Sequence, residues 1–110
     1  MYNKYGNAKV VRYGRKFDSK REAGRYAELQ LLQRAGKISD LKTQVAYLLI
    51  PAQYDEKHRC VFRSCKYVAD FTYIEDGKLV VEDAKGMKTD VYRIKAKLMY
   101  QKYGIKIKEV

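Results

Sequence analysis

Asp70 and the run Asp83-Ala84-Lys85 are the residue types needed to cut a phosphodiester bond. That reaction needs an activated water, a neutralised phosphate and a stabilised leaving oxygen, and a magnesium ion held by carboxylates can supply much of this. Magnesium takes oxygen ligands in near-octahedral geometry and keeps several waters. Asp70 and Asp83 would give two carboxylate oxygens, and the Ala84 carbonyl a third. Lys85 would stand beside the attacking water or the phosphate as a point charge. Glu22 could complete the set directly or through water. Manganese is the expected substitute ion. An acid-x-lysine triplet arises by chance in many strands, so the setting of the acids says more. Asp70 interrupts YVADF and Asp83 follows LVVE. A charge inside such apolar runs is costly unless it is paired or metal-bound.

The elements that must position these residues can be read from pattern. Tyr67 to Ile74 and Lys78 to Lys85 read as strands joined at Glu75-Asp76-Gly77-Lys78, and Asp-Gly is a strong hairpin signal. Period-two alternation puts Asp83 and Lys85 on one face and Glu82 on the other. Asp83 is therefore preferred over Glu82 as the ligand. A helix is predicted from the Ser19–Glu22 capping box to Gly36. Its apolar residues spread round the wheel, which implies packing on more than one side. Glu28 lies among Gly24, Leu31, Leu32 and Ala35. It either supports the site by binding a cation or stands at the solvent edge. Whether Glu22 or Glu28 is the helix acid of the site stays open.

LKTQVAYLLIPAQY reads as a strand from near Lys42 to near Pro51, and DEKHRCVFRSC as a loop or hairpin tip. A second helix runs from about Thr89 to Tyr103 with Thr89 as its cap. Val91, Ile94 and Leu98 give it an apolar stripe. Arg93 and Lys97 share another face, one turn apart. With Lys88 they are candidates for phosphate contacts, the alternative being a solvated helix face. Tyr92 and Tyr100 read as packing residues. IKIKEV is a final strand. The order is helix, three strands, helix, strand. This is an α/β chain with a mixed central sheet flanked by helices and a crossover at the end. Lys9 to Phe17 reads as a small hairpin around Gly14. Residues 1–16 form a basic extension whose first residues are expected to be mobile unless a partner orders them.

The chain of 110 residues suits one domain, 1–110. Its net charge of +11, from 24 basic and 13 acidic residues, favours a polyanionic partner, because neutralising phosphates releases counterions. No run of about 18 apolar residues exists to span a membrane. The start lacks the apolar stretch of a signal peptide, so a cytoplasmic location is expected. His58, Cys60 and Cys65 lack an evident fourth ligand for zinc, and free thiols are expected.

With this order of elements, Asp70 followed by Asp83-Ala84-Lys85 resembles the PD-(D/E)XK nuclease superfamily. The longer runs FDSKREAGRYAELQLLQRAGKISDLKTQ, YVADF and VVEDAKGMKTDVYRIKAKL resemble a family of small phage and prophage proteins, the domain of unknown function 1064. These are regarded as nucleases of that superfamily. The resemblance covers roughly Lys16 to the C-terminus. It implies a restriction-endonuclease-like αβββαβ core. It also implies a magnesium-dependent endonuclease acting on DNA, with Asp70 and Asp83 as metal-binding acids and Lys85 as the catalytic lysine. Glu22 resembles the helix glutamate that many members use, and Gln44 stands where related nucleases often place a glutamine on the first core strand. Ala69 departs from the proline of the superfamily's name. Cleavage of branched DNA, as by a Holliday-junction resolvase in phage recombination, is a common task in such families, and a homodimer would place two sites on two strands. A phage-encoded protein would act in the host cytoplasm. The rival readings are a nonspecific or flap-type nuclease and a noncatalytic nucleic-acid-binding module.

Overall fold

Helix and strand boundaries follow local chemistry. The computed structural model describes residues 10–12, 15–17, 19–84 and 88–110, the first two stretches as backbone alone. Strands β1 (Val10–Arg12) and β2 (Arg15–Phe17) pair as the expected hairpin and lie beside the first helix, α1 (Lys20–Arg34). Residues 1–9 and Gly14, about which the hairpin and a mobile start were expected, lie outside the described residues. At the start of α1 the Glu22 amide donates to the Ser19 hydroxyl at 3.2 Å, filling one of the amides that a helix start leaves open. Gly36 ends the helix at φ +75°. Its amide donates to the Gln33 carbonyl, and that of Lys37 to Leu32, so glycine supplies the left-handed turn that such a stop requires. The buried positions of α1 form one stripe, Glu22, Ala23, Tyr26 and Leu29. Leu31 is exposed, against the wider burial expected from the sequence.

The main sheet has the order β3-β6-β7-β8. Strand β3 (Ser39–Ile50) leads into a second small hairpin, β4 (Gln53–Tyr54) and β5 (Cys60–Phe62), where the sequence suggested a loop or hairpin tip. Strand β6 (Cys65–Glu75) then pairs antiparallel with β3 and with β7 (Lys78–Asp83). Asp76 and Gly77 both take positive φ between β6 and β7, as a two-residue hairpin turn demands. Helix α2 (Asp90–Tyr103), capped by Thr89 and stopped by Gly104, carries the chain over to β8 (Lys108–Glu109), which runs parallel to β7. The result is a mixed sheet flanked by two helices.

The helices cover opposite faces of β7. Val80 packs toward the α1 cluster and its neighbour Val81 toward the α2 cluster. On β6, however, residues of one parity change helix partner. Phe71 and Tyr73 pack under α1, while Tyr67 and Ala69 pack with Tyr92 and Met99 of α2. Leu41 and Tyr47 divide the same way on β3. A regular strand keeps one parity on one face. Both strands therefore turn over near Gln44 and Asp70, and Gln44 there has φ +54°.

Helix α2 corrects the sequence reading in one respect. Val91 and Ile94 are exposed, and the buried side is Tyr92 and Met99 with Ala96 partly buried between them. Two apolar stripes ran along this helix, and the one carrying Tyr92 is buried, where its hydroxyl donates to Glu109 on β8. No described helix is long and apolar enough to cross a membrane.

Candidate active site

The strand turnover gathers polar groups beneath the first turn of α1. Glu22 is 4% exposed and accepts from Gln44 Nε2 at 2.8 Å. Gln44 lies between the pairs Thr43–Phe71 and Val45–Ala69, so it stands across from Asp70. Asp70 Oδ2 accepts from the Ala84 amide at 2.8 Å, fastening β6 to the end of β7. One step beyond the Phe71–Glu82 pair, Asp70 precedes Phe71 and Asp83 follows Glu82 on the antiparallel strands.

Asp83 is 1% exposed. Its Oδ2 accepts from the Tyr67 hydroxyl at 2.7 Å. Its Oδ1 is buried with no hydrogen-bond partner, a condition shared among the described side chains only with Gln30 Oε1. A buried oxygen left this way has lost its hydration with nothing in exchange. Burial, and then the bond to Asp83, pushes the Tyr67 phenol well above its ordinary pKa. Asp83 also borders a narrow crevice with Lys88, Tyr92 and Glu109. There Lys88 Nζ lies 2.8 Å from Glu109 Oε1, and the Tyr92 hydroxyl donates to Oε2 at 2.9 Å. The ammonium and then the phenol hold the Glu109 carboxyl below the usual range.

Glu82 points the other way, as alternation predicts. It is fully buried on the α1 face, bonded by Arg25 through Nε at 2.5 Å and Nη2 at 3.0 Å and by the Tyr73 hydroxyl at 2.5 Å. Both its oxygens are satisfied. This two-pronged contact is the geometry that makes an arginine–carboxylate pair strong, and it raises the Arg25 guanidinium above its usual pKa.

A sequence model described as "Protein of unknown function (DUF1064)" matches residues 2–109. The chain belongs to this family. No curated protein and no solved structure matches it.

In this DUF1064 chain the residues singled out from sequence divide into three groups. Glu22 with Gln44, and Asp70 with Ala84, are joined by direct hydrogen bonds, and Asp83 adjoins the second pair. Lys85 lies outside the described residues, as do Gly86 and Met87. Glu28 is apart from these pairs, its side chain 66% exposed and 2.9 Å from Arg25, which is the solvent-edge alternative. Of the two helix acids Glu22 is the one held against the sheet. Among the described residues no three His, Cys, Asp or Glu side chains are gathered into a metal-holding group. Glu22 is turned to Gln44 and Asp83 to Tyr67.

Lys88 is engaged by Glu109, Arg93 is exposed 3.2 Å from Asp90, and Lys97 is exposed. Cys60 and Cys65 are both free thiols. Sequence reasoning passed over Tyr67 and Glu109. Tyr67 had no signal beyond lying on the strand of Asp70. Glu109 could have been found from the parallel register that a crossover implies, which sets it beside Asp83.

Proposed function

We propose that this protein is a magnesium-dependent DNA endonuclease with a restriction-endonuclease-like core of the PD-(D/E)XK type. It acts on branched DNA in the manner of a Holliday-junction resolvase, in phage recombination or DNA processing. One observation carries the reading: the buried Asp83 carboxylate keeps one oxygen without a hydrogen bond among the described residues, two residues before Lys85. A cation is the partner such an oxygen lacks. The oxygen-only donor set suits magnesium. Asp70, Asp83 and the Ala84 carbonyl would hold the ion, with Glu22 directly or through water. When bound, magnesium supplies Lewis-acid charge and a water of lowered pKa.

The protein's own groups do the rest. The Tyr67 hydroxyl holds Asp83 by one oxygen and leaves the other available. The Ala84 amide fixes Asp70, and the Gln44 amide fixes Glu22. The Lys85 ammonium offsets charge on the phosphate and orients the attacking water. The excess of positive charge draws the DNA in, with Arg93 and Lys97 on the exposed side of α2 as backbone contacts.

The test is incubation with magnesium, then manganese, and a panel of blunt duplex, single-stranded, flap and four-way-junction DNA. Paired nicks on junctions support the reading in full. Cleavage of flaps or of every substrate would replace the resolvase by a flap-type or nonspecific nuclease. A noncatalytic binding module is favoured by the bonds that Asp70 and Asp83 already make to Ala84 and Tyr67. Binding without cleavage in either metal would select it.

A further inference from the structure

A groove beside α2 bears on how the substrate is held. A groove of about 770 Å³ runs between α2 and the approach to β8. That volume lies within the range of about 300–1,000 Å³ typical of small-ligand sites. Tyr92, Ala96 and Tyr100 follow one another at four-residue spacing along its helical wall, and Ile107 lies on the strand side. Lys97 and Lys106 stand among the lining residues. Tyr92 and Glu109 line both this groove and the narrow crevice at Asp83, so the two are neighbours.

Each part of this lining has a chemical use. Tyr92 is 5% exposed and held by Glu109, so it forms a fixed wall. Tyr100 is 63% exposed, an aromatic ring presented to solvent beside an apolar floor. A ring in that position fits a flat aromatic ligand, and two lysines beside it fit an anion. Both Glu109 oxygens are engaged by Lys88 and Tyr92, so the acid at the inner end is already compensated. A flat ring next to a phosphate is a nucleotide.

We propose that the α2–β8 groove binds one unpaired nucleotide of the DNA next to the cleavage site, its base stacked on Tyr100 and its phosphate between Lys97 and Lys106. This rests on the nucleic-acid part of the proposed function and extends it. The base of an intact duplex is stacked within the helix and unavailable to the ring. A branch point, flap or single strand offers an unstacked base directly. The groove would then give this small domain a preference for DNA with unpaired nucleotides without any reading of sequence.

The experiment measures binding in EDTA, so that cleavage plays no part. A fluorescent twelve-nucleotide oligo-dT and a blunt duplex of equal length are titrated with the protein, Tyr100→Ala, Tyr100→Phe and the Lys97→Ala/Lys106→Ala pair. Loss of base–aromatic stacking predicts that Tyr100→Ala weakens oligo-dT binding on the order of 5- to 100-fold, and that Tyr100→Phe restores it. The lysine pair should weaken oligo-dT binding and flatten its salt dependence by up to about two units of slope. The proposal is overturned if Tyr100→Ala leaves oligo-dT affinity within twofold, weakens duplex equally, or if the unaltered protein does not bind oligo-dT. Junction cleavage without dependence on Tyr100 would sink the groove and leave the nuclease standing. Tyr100-dependent binding without cleavage would do the reverse.

Discussion

Glu82 and Asp83 are chain neighbours of nearly equal burial, yet their surroundings assign them different work. Glu82 has every oxygen occupied by Arg25 and Tyr73, whereas Asp83 has one oxygen bonded and, among the described residues, one bare. Asp83→Asn should therefore abolish cleavage while thermal stability stays near that of the parent, because the shape survives and the amide oxygen can still accept from Tyr67. Retained cleavage would show that Asp83 is not in the site. Glu82→Gln should keep cleavage. Arg25→Met should lower stability by about 3–5 kcal/mol in urea titration, since it leaves the buried Glu82 without its ion-pair partner and held by the Tyr73 hydroxyl alone. A change below about 1 kcal/mol would mean that this pair is not ionic in the folded protein. The division between the two acids was legible in the sequence, because alternation depends only on position. Their partners were not. Arg25 lies fifty-seven residues from Glu82, and no local pattern links residues so far apart.

At the scale of elements, the decisive feature is the turnover of β3 and β6 at Gln44 and Asp70. Hairpin turn, helix caps and the crossover were all readable, since each is set by a few adjacent residues. The turnover was not, because Gln44 carries no signal for a left-handed backbone and the sequence shows only an uninterrupted strand. Its cost is measurable. A side chain at positive φ is disfavoured by roughly 1–2 kcal/mol relative to glycine. Gln44→Gly should accordingly be about 1 kcal/mol more stable than Gln44→Ala, both having lost the bond to Glu22. Equal stabilities, or alanine the better, would show that the backbone there is not left-handed. Both variants should impair cleavage, since Glu22 loses its fixed position. Helix α2 gives a second element-scale test. Arg93→Ala with Lys97→Ala should weaken duplex binding and flatten the salt slope by up to about two units. An unchanged slope would return both residues to a solvated face.

Across the whole molecule, three buried tyrosines serve the sheet in the same way. Tyr67, Tyr73 and Tyr92 donate to Asp83, Glu82 and Glu109, and so tie both faces and the last strand to carboxylates. Burial first, and the neighbouring carboxylate second, raises all three phenols above their ordinary value. A phenol whose pKa is higher folded than unfolded adds stability that is complete below the unfolded value of about 10 and is lost as pH rises beyond it. The urea midpoint should therefore hold through neutral pH and fall above about pH 10. Lysines also lose charge in that range, and relief of self-repulsion acts in the opposite direction. The ultraviolet absorbance of tyrosinate separates the two effects. Tyr67, Tyr73 and Tyr92 should stay silent through the early part of the titration, then appear together in one cooperative step with loss of structure. Ionisation of these three with the fold intact would show that their hydroxyls are not bonded as described. The same step should come at lower pH in Arg25→Met, because losing the Arg25–Glu82 ion pair leaves a less stable fold for the same rise in pH to overcome.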